Sequence, residues 1–159
     1  MSDAAQQRHF MREALALAAA SVRDGGGPFG AVVVQDGVII GRGSNRVTPD
    51  NDPTAHAEIV AIRAACHTLN SFSLEGCELY VNCEPCPMCL GAAYWARLGR
   101  IYYAATRDDA AAAGFDDALI YQEVCLLPEQ RRLPLLRLLP EEAGDAFNAW
   151  TAKSDRVEY

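Results

Sequence analysis

The segment that most narrows the fold lies between residues 78 and 104. Residues 78–82 are strand-like, 87–97 helical and 100–104 strand-like again. A strand, helix and strand joined this closely form a crossover, which sets two strands parallel and lays the helix on a face of their sheet. Upstream, residues 31–34 and 38–40 flank Asp36-Gly37, a dipeptide suited to the positive-φ positions of a two-residue hairpin turn, so an antiparallel pair is predicted there. Residues 4–23 carry Met11, Leu15, Ala18 and Val22 at helical spacing until Gly25-Gly26-Gly27-Pro28 stops the run. Residues 44–53 read as a polar loop. Residues 56–69 read as a helix with Ile59, Ile62 and Cys66 inward. Beyond Arg107 the pattern predicts an acidic, Ala-rich stretch, a short strand near Leu135 and a helix over about 141–150. No linker, repeat or low-complexity tract divides the 159 residues, so a single domain over 1–159 is expected.

The charge balance narrows the partners. The net charge is −7, which argues against nucleic acid, whose affinity is built mainly from Lys and Arg on phosphates, and favours a small ligand. Apolar stretches are interrupted well before the ~20 residues of a membrane span, and the opening Met-Ser-Asp-Ala-Ala-Gln-Gln lacks the basic and apolar regions of a leader. The expectation is therefore a soluble cytoplasmic protein with no membrane partner. Six cysteines under reducing conditions point to metal binding or burial rather than disulfides.

Cys83-Glu84-Pro85-Cys86-Pro87-Met88-Cys89 raises the question of how many thiols hold a metal. Zinc takes thiolate and imidazole in a tetrahedron, and a catalytic site supplies three ligands and leaves the fourth place to water. Cys86 and Cys89 are i and i+3 at the start of a helix, with Pro87 in its first turn, so both sulfurs can face one point. Pro85 pushes Glu84 toward an extended conformation, which carries Cys83 roughly 10 Å from Cys86 and leaves it out. His56 is the third candidate. His67 lies about 16 Å further along the same helix at ~1.5 Å per residue, so it cannot share the ion, and His9 reads as solvated. Glu58 follows His56 by two residues, about 200° on an ideal helix, so both reach one pocket only from a helix end. Asp52 and Thr54 are candidate caps for that end.

His56-Ala57-Glu58 with Pro85-Cys86-x-x-Cys89 resembles the H-x-E…P-C-x-x-C pattern of the cytidine deaminase superfamily. The resemblance covers nearly the whole chain, through residues 27–32, Asn45, residues 51–58 and residues 84–89. It implies an α/β fold, a three-layer α/β/α sandwich around a five-stranded mixed sheet. It also implies one Zn2+ per chain on His56, Cys86 and Cys89, with Glu58 carrying protons. By Trp95, Gly114-Phe115-Asp116-Asp117 and the ending Glu158-Tyr159, the chain is most similar to small bacterial guanine deaminases. That likeness implies hydrolysis of guanine to xanthine and ammonia. Asn45 would hydrogen-bond the purine, Phe29 and Trp95 enclose it, Asp117 contact its edge and assist proton transfer, and Tyr159 close over it. Core packing is an equal reading for Trp95, and the sequence does not choose between Asp116 and Asp117. Such enzymes pair as homodimers in which the C-terminal segment can cross to the neighbour.

Two other deaminases share the motif. A tRNA adenosine deaminase matches through residues 52–58, but residues 140–159 hold Lys153 and Arg156 against Glu141, Glu142, Asp145, Asp155 and Glu158, a balance of −3 where an RNA-docking tail should be positive. A cytosine deaminase differs mainly in pocket contacts. A non-catalytic zinc module with a closed site is the reading from another class; Glu58 opposes it, because a structural knot has no use for a carboxylate there.

Overall fold

The computed structural model describes residues 3–159. Met1 and Ser2, where the opening read above for a leader begins, lie outside the described residues. Among the described residues no helix is long and apolar enough to cross a membrane. The chain separates into two compact units, one ending at Asp117 and the other Ala118–Tyr159.

In the first unit, helix α1 (Ala4–Arg23) starts at a capping box, Asp3 Oδ1 accepting from the Ala5 and Gln6 N–H groups while Gln6 Oε1 accepts from Asp3 N–H. Its buried face is Phe10, Ala14, Ala18 and Ser21. The expected stripe of Met11, Leu15, Ala18 and Val22 is rotated from it, with Leu15 and Val22 44% and 55% exposed. Contact distance explains the shift. A Cβ on Gly30 would run into the Ala14 carbonyl and the Ala18 amide, so α1 lies on the sheet through small residues, and a hydrophobicity pattern weighted to large side chains misses that face.

Strands β1 (Gly30–Gln35) and β2 (Val38–Ser44) form the expected hairpin, with Gln35 opposite Val38 and both turn residues at positive φ, Asp36 at 49° and Gly37 at 79°. The one-turn helix α2 (Val47–Asp50) interrupts the predicted loop, clamped by Arg46 Nε and Nη2 donating to the two Asp50 oxygens at 2.7 and 2.6 Å. Helix α3 (Ala57–Leu69), β3 (Glu78–Cys83), α4 (Pro87–Trp95), β4 (Arg100–Ala105) and α5 (Arg107–Ala112) follow. The order in the sheet is β2-β1-β3-β4, with β3 and β4 parallel and the other pairs antiparallel. One face puts Val32, Val34 and Tyr80 against Phe10 of α1; the other puts Ala31, Val33, Leu79 and Val81 against Ala57, Ala61, Ile62 and Ala65 of α3. This is the expected α/β sandwich with a mixed sheet. Ile59 is only half buried, and Ala61 and Ala65 take the inward positions beside Ile62.

The sheet has four strands rather than five. The stretch around Leu135 belongs to the second unit and is irregular, with Leu136 88% exposed. Pro134 lacks an N–H for a ladder, and among the described residues of that unit there is no strand for it to pair with. The second unit consists of α6 (Ala118–Val124), a 3-10 turn at Pro128–Gln130 and α7 (Gly144–Ala152). Arg131 Nε closes α6 by donating to the Glu123 and Leu126 carbonyls at 3.1 and 3.2 Å. None of the unit's residues is buried.

Helix α3 sits directly on β2. A Cβ on Gly43 would meet the Ala57 carbonyl and lie 2.5 Å from Ala61 N, and one on Gly41 would lie 2.7 Å from Ala65 N. Gly43→Ala is expected to destabilise the protein by about 1–3 kcal/mol, because backbone has to move. Gly91→Ala, which meets nothing within 4 Å on α4, should gain roughly 0.5–1 kcal/mol from helix propensity. Denaturant unfolding of the two variants decides it, and equal midpoints would contradict the close contact.

Candidate active site

The chain ends that meet at one edge of the sheet are the start of β1, the ends of β2 and β3, and the first turns of α3 and α4. This is the edge outside the β3 carboxyl end, where open α/β sheets place their ligands. His56 is the N-cap residue of α3, extended at φ −67° and ψ 154°, and Glu58 is in the first turn. The break from helical geometry at His56 lets both side chains address one point, as a helix-end site requires. The capping role expected of Asp52 or Thr54 is not the one observed. Asp52 Oδ1 instead accepts from Thr54 N–H and Oγ1–H at 2.8 and 2.7 Å, shaping the turn that leads into α3.

Cys86 is the N-cap residue of α4, with Pro87 next and Cys89 in the first turn. The Cys86 and Cys89 sulfurs stand 3.6 and 3.5 Å from His56 Nδ1, and the three ligand atoms all lie within 4.8 Å of one another. With bonds of about 2.3 Å to sulfur and 2.1 Å to nitrogen, a tetrahedral zinc puts S and N about 3.6 Å apart. The cradle therefore fits that ion, through Nδ1 of His56. Cys83 is outside the group. Its buried thiol points to the Thr106 carbonyl at 3.5 Å, and burial pushes its pKa up to about 11, which keeps it protonated.

The electrostatics favour a cation. The Cys86 thiol is brought down to about 4, first by the hydrogen bond from Cys89 and then by His56, against the opposing effect of burial. Cys89, holding the proton that Cys86 gives up, is pushed up by that same hydrogen bond and by burial. The hydrogen bond to Cys86 raises His56. Glu58 is 6% exposed, and burial raises its carboxyl pKa, with the Cys86 thiolate adding to the rise.

Asn45 is buried nearby, its Oδ1 accepting from Gly27 N–H at 3.1 Å and Val47 N–H at 3.2 Å. Two donors on one atom fix the amide orientation and leave donation to Nδ2. Phe29 is half buried in the loop before β1, which Asn82 pins by accepting from Gly30 N–H and donating to Pro28 O, both at 2.9 Å. Asp117 is half buried while Asp116 is exposed. Burial and the Cys86 thiolate raise the Asp117 pKa, and Arg107 opposes them. Trp95 is the last residue of α4. It is 69% exposed at the far end of α4, about 9 Å along the axis from Cys89 at 1.5 Å per residue. Tyr159 is an exposed residue of the second unit.

Two residues at this edge were given no site role by the sequence reading. Phe115 packs edge-on against Phe29, ring centroids 5.0 Å apart, and Glu84 accepts from Arg107 N–H at 3.1 Å. Glu84 read only as a stiff neighbour of Pro85, and its partner lies 23 residues away, a pairing that no local spacing encodes.

A model of the cytidine and deoxycytidylate deaminase zinc-binding region matches residues 4–105. The guanine deaminase of Bacillus subtilis (strain 168) is 51% identical over 151 residues, 94% of this chain and 97% of that protein. The X-ray structure of guanine deaminase from Bacillus subtilis superposes with a TM-score of 0.93 at 50% identity, covering 96% of this chain and 98% of that one. The tRNA-specific adenosine deaminase of Agrobacterium fabrum is 48% identical over 101 residues, 64% of this chain and 66% of that protein.

Purified protein is expected to carry one zinc per chain. Cys86→Ala and Cys89→Ala should lose it on dialysis, and Cys83→Ala should keep it. Elemental analysis reads the result, and loss of zinc from Cys83→Ala would contradict a three-ligand cradle.

Proposed function

Since the chain belongs to the cytidine and deoxycytidylate deaminase family, we propose that it is a zinc-dependent hydrolase that converts guanine and water to xanthine and ammonia. The observation that carries the choice of guanine is the extent of the likeness. The match to a guanine deaminase runs through 94% of the chain, whereas the match to a tRNA-specific adenosine deaminase covers 64%. The acidic balance of residues 140–159 supports the same choice.

Zinc held by His56, Cys86 and Cys89 supplies a Lewis acid that makes water a nucleophile near neutral pH. The chain's own residues do the rest. Glu58, desolvated and raised in proton affinity, takes a proton from the water that attacks C2 and delivers it to the adjacent ring nitrogen. As the tetrahedral carbon collapses to the C2 carbonyl, Glu58 takes the remaining hydroxyl proton and passes it to the departing amine, which leaves as ammonia. Asn45 Nδ2 donates to an acceptor on the purine, Phe29 supplies a ring face for it, and Asp117 accepts from its N–H edge and assists the proton transfer. Glu58→Gln should keep zinc and fold while losing at least the 10²–10⁴-fold that acid–base assistance typically contributes. Ammonia release should be fastest on guanine, with cytosine, adenine and tRNA far behind. Turnover within tenfold of wild type in Glu58→Gln, or a preference for tRNA, would overturn the reading.

The proposal includes a homodimer completed by the C-terminal segment. The second unit buries no residue, and Leu119, Ile120, Val124, Leu133 and Leu135 line an apolar groove of about 360 Å3 within it. Exposed apolar surface of this kind marks an interaction face. Trp95, exposed at the far end of α4, would wall the purine across such a subunit contact. Tyr159 would close over guanine, with its hydroxyl and the Glu158 carboxylate offering acceptors to the purine N–H groups. Deleting residues 156–159 should therefore cut guanine turnover far more than it lowers the melting temperature. Unchanged guanine turnover and unchanged preference over cytosine would return the tail to an ordinary frayed end.

A further inference from the structure

We propose that Glu84 is a positioning residue for the reaction: by accepting the Arg107 backbone N–H it fixes the segment 107–117, and with it Asp117, against the zinc-ligand cradle. The proposal rests on the reading of Asp117 as a substrate-side group.

The loop between β3 and α4 carries Cys86, and the junction between β4 and α5 leads to Asp117. Three bonds fasten one to the other. Glu84 N–H donates to Ala105 O at 2.8 Å, Arg107 N–H donates to Glu84 Oε2 at 3.1 Å, and the Cys83 thiol faces the Thr106 carbonyl at 3.5 Å. The first extends the β3–β4 pairing past its last partners, Cys83 and Ala105. Only the second comes from a side chain that reaches into the first turn of α5. Arg107 is the first residue of that helix, so its N–H has no partner within the helix. Thr106 and Asp109 satisfy each other as a capping box, Asp109 Oδ2 accepting from Thr106 N–H and Oγ1–H at 2.8 Å, and neither reaches the Arg107 N–H. At its other end the segment is held by the edge-on contact of Phe115 with Phe29. Asp117 follows Phe115 by two residues, so it hangs from a strap fastened at both ends. Glu84 is the polar fastening, one residue before Pro85 and two before a zinc ligand. Movement of the cradle and of Asp117 is thereby coupled.

A misplacement of about 1 Å can cost a reacting group 10²-fold. Glu84→Ala should keep one zinc per chain and lower kcat/KM for guanine by between about ten- and a hundredfold. Glu84→Gln retains an oxygen acceptor at the same reach and should restore it to within about threefold of wild type. In an Asp117→Asn background Glu84→Ala should add less than about threefold, because the group it positions is already disabled. Hydrogen exchange on the zinc-loaded protein should show faster exchange at the Arg107 amide in Glu84→Ala and not in Glu84→Gln. Zinc loss in Glu84→Ala, failure of Gln to rescue, or full additivity with Asp117→Asn would overturn the proposal. Wild-type guanine turnover in Asp117→Asn would overturn it through the functional reading, a failure told apart because Arg107 exchange would still rise in Glu84→Ala.

Discussion

The site depends on how closely α3 can lie against β2. Gly41 and Gly43 on the strand and Ala57, Ala61 and Ala65 on the helix leave no room for a side chain between the two backbones. His56 caps this helix and Glu58 lies in its first turn. The backbone contact at Ala57 therefore sets the height of both above the sheet. On the other side β3 and α4 place Cys86 and Cys89, and the central strands β1 and β3 that join the two halves are buried on both faces. A close-packed interior has little slack, so a shift forced at Gly43 is passed to the ligand geometry rather than absorbed.

The charges gathered there oppose one another until a cation joins them. The Cys86 thiolate raises the proton affinity of Glu58, Cys89 and Asp117 together, while its hydrogen bond to His56 favours the protonated imidazole. Arg107 opposes the rise at Asp117. A buried anion without a partner is costly, and groups in this position take up protons instead. A divalent ion held by Cys86, Cys89 and His56 would reverse that balance: both thiols would bind it as thiolates, and the buried carboxyl would sit beside positive charge. Folding stability and chemistry thus ask for the same ion.

Local chemistry was readable in the sequence and distant contact was not. The Asp36-Gly37 turn, the crossover from β3 to β4 and the convergence of Cys86 and Cys89 follow from rules that span a few residues, and the structure holds all three. The buried faces of α1 and α3 were misplaced by up to a residue, because tight helix–sheet contact selects Ala and Gly, which carry little hydrophobic signal. The strand near Leu135 failed because apolar β-propensity shows only that a segment suits a sheet; it does not supply a neighbouring edge. The contacts of Phe115 with Phe29 and of Glu84 with Arg107 could not be read for the same kind of reason, since these partners lie far away in sequence and meet only after the sheet has formed.

Substrate choice then has to come from what lies beyond the shared cradle. Guanine carries its reactive amino group on C2 and a proton on N1, whereas adenine carries the amino group on C6 and presents N1 as an acceptor. An amide such as Asn45 can donate to either ring. A carboxylate is acceptor-only, so Asp117, on the proposed reading, pairs with the N–H edge of guanine and faces the lone pair of adenine across a desolvated gap. Rejection by an unpaired buried polar group reaches 10⁴–10⁵-fold, well beyond what shape alone delivers in an apolar pocket. The family match ends at residue 105, and Asp117 lies past it on a strap that Glu84 ties back to the cradle. On the proposed reading, the zinc chemistry stays with the cradle while Asp117, after β4, selects which ring, and which edge of it, is presented for attack.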